Sequence, residues 1–355
     1  MARSADVSGT QFPIRSVSRP KANRRGRTRR RAVGLAVLFL AVAGSEQVMA
    51  CAACGCTLSK DWLGPQAGAA SGWSAGVSYD YINQDQARTG TRNLSLQDAD
   101  AILNPAGNTG NETEVQTATR TTTFQLDYNA EGWGVSIQLP FVDRYHTTYQ
   151  AGLADQSNFN FNQYDALGDL RVLGKFAVSS DGRFGLVGGV KLPTGVTNEQ
   201  FNGAPGGQID PSLQPGTGST DVIAGAYYGD GSGMLGWFAQ GTLQHTVSAQ
   251  YGYTPGNAVT VNAGLRYGGM GHMFTPLLQL NLVHREKDTG SLVNIQYDGT
   301  PLTGGNLAYV APGVAVQLPE GFSAYAYLQL PIYQNVSGVQ LVAKYIASAG
   351  VRKNF

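Results

Sequence analysis

Trp73-Ser74-Ala75-Gly76-Val77-Ser78-Tyr79-Asp80-Tyr81 decides how this chain is read. Every odd position is apolar or aromatic, small Ala75 apart, and the even positions are Ser, Gly, Ser and Asp. A period of two marks a strand with two different faces, because successive side chains on extended backbone point to opposite sides. The alternation returns at 124–128, 133–139, 170–176, 259–267 and 278–282. It predicts twelve strands, near 72–84, 116–128, 133–148, 167–179, 184–194, 219–229, 234–248, 258–268, 273–286, 306–318, 322–334 and 341–355.

The connections between these segments alternate in kind. Those at 129–132, 180–183, 229–233, 269–272 and 319–321 are short and turn-like. Those at 85–115, 149–166, 195–218, 249–257, 287–305 and 335–340 are mostly longer and polar. An even strand number, short turns at one end and longer loops at the other is the plan of a bacterial outer-membrane barrel. The expected fold class is therefore all-β, a transmembrane up-and-down antiparallel β-barrel of about 12 strands.

Composition agrees. Gly supplies 47 of 355 residues, and charged residues only 14% against the ~25% of a soluble domain. The longest apolar run, 32–44, is 13 residues, short of the ~20 of a membrane helix. Aromatic residues gather at the short-turn ends (Trp73, Tyr128, Trp133, Phe176, Trp237, Phe322), the place of an interfacial girdle. The chain closes on Phe355, as outer-membrane barrels carrying an assembly signal do, although Lys353 stands where that signal is apolar. A soluble β-sandwich or lipocalin-like barrel would alternate equally well with the faces reversed. Size, low charge, girdle and leader favour the membrane barrel.

Residues 1–50 read as a signal peptide: ten basic residues, the apolar run 32–44, then small residues before Cys51. Residues 51–71 read as a periplasmic Cys-containing segment and 72–355 as the barrel. Without 1–50, 15 basic residues face 22 acidic ones, a net charge of −7. Nucleic acid, which needs a basic face, is not an expected partner. The expected partners are outer-membrane lipid, a small-molecule solute and the barrel-assembly machinery, in a Gram-negative cell.

All three cysteines lie in Cys51-Ala52-Ala53-Cys54-Gly55-Cys56. Three readings stand open. Cys51 is a lipid-modified N-terminus; Cys51 and Cys54 form a disulfide in the oxidising periplasm; or three thiolates hold a soft metal such as Cu(I). No His follows Cys54 or Cys56, which excludes haem attachment. Apart from that metal, no cofactor is expected.

If the apolar face meets lipid, the polar face lines a lumen. The lumen-lining candidates are Asp80, Asp127, Asp169, Arg171, Lys175, Lys191 and Arg266. Inward placement follows from the cost of a charge facing lipid, about 2–4 kcal/mol for Arg or Lys at midplane. Arg171, Lys175 and Lys191 fall on one inner wall with Asp169 beside Arg171. Such a wall steers anions or is neutralised by internal salt bridges, with Asp80 and Asp127 as partners. Twelve strands leave a narrow interior, and the long loop 85–115 is the expected plug or gate.

Six segments carry a family resemblance: 138–144 (QLPFVDR), 167–170 (LGDL), 189–195 (GVKLPTG), 216–221 (GTGSTD), 311–313 (APG) and 329–341 (QLPIYQNVSGVQL). Together they resemble a family of Gram-negative outer-membrane barrels labelled transporter or putative phenol-degradation pathway. The resemblance implies passage of small hydrophobic or aromatic molecules and carries no site residues. The expected function is passive passage of small organic solutes, not enzymatic. The alternatives are a metal-related protein using the cysteine cluster, or a non-conducting structural barrel.

Overall fold

The computed structural model describes residues 71–105, 111–149, 159–201, 208–250, 252–269 and 273–355. The signal peptide, the cysteine cluster and His272 lie outside these residues. The described elements are β1 (Gly72–Gly90), β2 (Arg92–Asn93), α1 (Leu96–Leu103), β3 (Thr113–Ala130), β4 (Trp133–Tyr149), β5 (Phe159–Leu167), β6 (Leu170–Ala177), β7 (Phe184–Leu192), β8 (Ser219–Ser232), β9 (Leu235–Ala249), β10 (Ala258–Tyr267), β11 (Phe274–Arg285), β12 (Gly305–Gln317) and β13 (Phe322–Asn354). Eleven strands pair in a closed antiparallel circuit, β13 returning to β1; β2 and β5 stand outside it.

β13 is one run of extended backbone that folds back on itself. Residues 323–336 pair with β12, and residues 336–354 pair with β1. Between the two arms Gly338 takes φ +52°, a conformation open chiefly to glycine. The arms touch: the Gln334 amide donates to Ala343 O at 2.9 Å, and a Cβ on Gly350 would lie 2.7 Å from the Tyr325 ring. The wall is thus crossed twelve times by eleven strands, which reconciles the observed circuit with the even number read from the sequence.

Side-chain alternation sets the two faces. Outward Val77, Phe124, Ile137, Leu280 and Leu330 are 38–50% exposed. Inward Ser78, Thr123, Gln279, Asn281 and Gln329 are at most 7% exposed. A soluble barrel or sandwich shows the reverse, so this inversion decides for the transmembrane barrel. The interior is not uniformly polar: Ile82, Val283, Leu307, Tyr309 and Ile346 cluster against one another on the β11–β13 and β1 side.

The apolar band has visible edges. At the short-turn end Tyr128 sits 5.0 Å from Trp73 and 5.6 Å from Trp133, and Tyr228 sits 5.5 Å from Trp237. Ten residues up β4 from Trp133, outward Asp143 pairs with Arg120 of β3 at 3.0 Å. At roughly 3.3 Å per residue and a tilt of about 40°, that separation is ~25 Å, the height of an outer-membrane apolar band.

The crossing between β4 and β7 is broken. β6 pairs with the lower half of β4 (133–138) and β5 with its upper half (141–149). The break faces Pro140, which has no N–H to offer a partner; its carbonyl accepts from Gly168 N at 2.8 Å. The Leu-Pro pairs of the resembling segments stand in two kinds of place. Pro193 follows the end of β7, whereas Pro140 and Pro331 stand inside strands at irregularities.

Candidate functional site

The candidate site is the barrel interior and the chain folded into it. Three of the resembling segments, 167–170, 189–195 and 216–221, meet in one place. The Lys191 ammonium lies 3.0 Å from Asp221 and 3.3 Å from Asp169, and it donates to Ser219 Oγ at 2.9 Å and to Thr217 Oγ1. All three charged side chains are at least nine-tenths buried. Asp169 also accepts from the backbone N–H of Gly195 (3.0 Å) and Thr217 (2.9 Å), just beyond β7 and just before β8. Asp221 accepts from Ser219 Oγ at 2.7 Å and Thr246 Oγ1 at 3.1 Å. The backbones of Gly168, Gly195 and Gly216 touch: a Cβ at 195 would lie 2.6 Å from Gly216 Cα and 2.7 Å from Gly168 C. Only glycine allows that approach.

This ionic knot fixes both ends of the segment 193–218, of which the described residues 208–218 fold inward. A 3₁₀ turn at Pro211–Leu213 carries it, with Ile209 and Leu213 buried against Tyr164. Arg144 and Tyr164, inward-facing on β4 and β5, both donate to the Leu213 carbonyl. Gln214 ties the limbs together, accepting from Glu199 N at 2.9 Å and donating to Ile209 O at 2.8 Å. The described part of 85–115, the expected plug or gate, packs at the long-loop end. That segment extends β1, pairs briefly as β2 and forms α1, whose Ala99 and Leu103 pack on Ala87, Leu94, Val339 and Leu341 at the long-loop end. Its length suggested a plug, but its apolar residues have a partner on the barrel rim.

Three carboxyl groups converge where the inward segment meets the start of β3. Glu112 and Glu114 precede the Arg120–Asp143 rim by six residues or more, beyond the apolar band. Burial first, then the neighbouring Asp210, pushes Glu112 up to about 7. Burial, Asp210 and Glu112 push Glu114 up to about 8. Burial raises Asp210 to about 6 against a hydrogen bond from Asn294. Among the described residues no group of His, Cys, Asp or Glu is placed to hold a metal ion.

The remaining candidates fall as follows. Asp80 and Asp127 are inward and buried. Asp127 pairs with Arg352 at 3.3 Å and accepts from Gln125, so its partner is not the basic wall. Asp169 is bound to Lys191 rather than standing beside Arg171 as an ion pair. Arg171 faces inward on β6, where it sits deep among barrel atoms yet keeps surface open to the lumen; this burial acts on it first, then Asp221, Asp169 and Arg285. Lys175 lines a cavity of about 350 Å³ at the short-turn end with Asn129, Glu131 and Tyr227. Arg266 lies across Gly236, whose missing side chain leaves room for the guanidinium. Sequence reading missed Arg144, Tyr164, Thr217 and Gln214. Nothing local marks Arg144 and Tyr164, whose shared partner is the Leu213 carbonyl far along the chain, and Thr217 and Gln214 are polar loop residues whose partners appear only when the loop folds.

Fold and interior together define a transmembrane β-barrel of the outer-membrane type. Its fold is shared with an outer-membrane channel of Pseudomonas putida F1: TM-score 0.58, 13% identity, 82% of this chain and 98% of that one covered. More distant barrels include the toluene transporter TodX of P. putida (TM-score 0.43, 8% identity, 81% and 91% covered) and a FadL homologue of P. aeruginosa (0.37, 11%, 80% and 90%). No protein-family model and no curated protein matches the sequence. The phenol-degradation resemblance therefore rests on its six segments alone.

Proposed function

We propose that the protein is an outer-membrane channel for passive passage of small organic solutes. The observation that carries this is the closed wall with apolar residues outside, polar residues inside, and a segment latched within the lumen by inward side chains. A structural barrel needs no exposed arginine inside, and a lumen filled for stability alone would bury Arg171. The likeness to an outer-membrane channel supports the reading at the level of fold. The short turns then face the periplasm and the long loops the exterior, as in barrels of this kind. Hydrophobic or aromatic solutes, implied by the resemblance, are one class to test.

Liposome swelling with organic solutes of stepped size tests the proposal. Swelling that falls with solute size supports a size-limited pore. Swelling no faster than protein-free liposomes, from protein that migrates as folded, contradicts it.

A further inference from the structure

We infer that the open part of the lumen favours small organic anions of the carboxylate class, with Arg171 as the residue that sets the preference. The inference rests on the channel reading and deepens it.

Across the apolar band the inner charges differ in how far they reach the lumen. The inner acids are withdrawn: Asp80, Asp127, Asp169 and Asp221 are each at most 6% exposed. Asp127 is held by Arg352, Gln125 and Ser74, and Asp169 and Asp221 by Lys191 and the hydroxyls around it. The cations are the accessible members. Arg171 is exposed and Arg266 half-exposed, and neither has a hydrogen bond or ion pair among the described residues. Lys175 is half-exposed on the same face of β6 as Arg171.

The knot of one lysine and two aspartates carries one net negative charge, and Arg171 offsets it from the solvent side. A solute in the lumen therefore meets the guanidinium first and the carboxylates only behind other side chains. Low-dielectric walls concentrate such a field, and inward Arg and Lys favour anions in pores.

The spacing narrows the class. Arg171, Leu173 and Lys175 alternate on the inward face of β6, about 7 Å between successive members. Leu173 lies over Gly189, where a Cβ would come 2.7 Å from its Cδ2. A single apolar side chain between two cations matches an organic body that ends in a carboxylate. The guanidinium offers the planar fork that a carboxylate accepts bidentately.

The test uses the refolded chain, with benzoate and its neutral counterpart benzyl alcohol as probes. Calorimetry reads binding in detergent, and reversal potential under a KCl gradient reads selectivity. We expect anion-selective current, and benzoate binding at least about tenfold tighter than benzyl alcohol. Arg171→Gln is expected to weaken benzoate about tenfold, the scale of losing a charged hydrogen-bond partner, and to move the reversal potential toward zero. Arg171→Lys is expected to retain selectivity while losing part of the affinity. Equal affinity for the two probes, cation-selective current, or Arg171→Gln protein that migrates as folded and behaves as wild type would each overturn the inference. Benzoate binding without conductance would instead overturn the channel reading and leave the Arg171 site standing. Conductance without benzoate binding would do the opposite.

Discussion

Lys191 lies within 3.3 Å of two buried aspartates, so removing its charge leaves Asp169 and Asp221 uncompensated. Breaking a buried ion pair by deleting one partner costs about 3–5 kcal/mol. Lys191→Met should therefore lower the temperature at which the folded gel band converts to the unfolded one. Adding Asp221→Asn should recover part of the loss, because one unpaired charge is then gone. An unchanged conversion temperature would mean the knot contributes little. The knot also shows where sequence reading stops. Asp169, Lys191 and Asp221 stand in short segments that were visible one by one, and the inward parity of Asp169 and Lys191 was legible from the alternation. Their meeting was not, because it depends on three glycine backbones touching across 168, 195 and 216. Contact between distant backbones leaves no period in the sequence.

At the scale of elements, strands were legible and loops were not. The arms of β13 were separable because Gln334 and Leu341 flank a short polar stretch, which the structure turns at Gly338 with φ +52°. The upper piece β5 was missed because 159–167 reads as polar loop: Asn160, Asn162, Gln163 and Asp165 mask a strand above the membrane edge. The inward residues 208–218 were passed over for 85–115 on length alone. Two predictions belong here. Arg144→Ala with Tyr164→Phe removes both donors to Leu213 O and should raise mean conductance severalfold by freeing the turn at Pro211–Leu213. Equal conductance would show that these bonds do not hold the turn closed.

The second prediction concerns pH. Docked, Glu112 and Glu114 titrate at about 7 and about 8; released, they return to the ordinary carboxylate range. Groups whose pKa is raised by docking stabilise it fully below the ordinary value and lose that contribution as pH rises through the raised one. Docking should thus weaken from about pH 5 to about pH 9, with conductance rising over that window. Glu114→Gln should flatten most of the rise. A profile that falls with pH, or one untouched by Glu114→Gln, would exclude this carboxyl cluster as the cause.

The whole molecule is a wall with its faces inverted relative to a soluble barrel. Its outer apolar band runs about 25 Å from the Trp133 girdle to the Arg120–Asp143 rim. A closed circuit leaves no free sheet edge in the band, so unboiled protein should migrate in detergent gels as a compact form distinct from boiled protein. A single band under both conditions would count against the closed circuit. The channel reading adds a water-accessible lumen lined by Arg171, Lys175 and Arg266 and narrowed by residues 208–218. Single-channel conductance of the refolded protein in a planar bilayer tests that most directly. The account predicts discrete steps that are anion-selective and grow when Arg144 and Tyr164 are replaced. Folded protein that inserts and yields no steps, with or without those replacements, would contradict it.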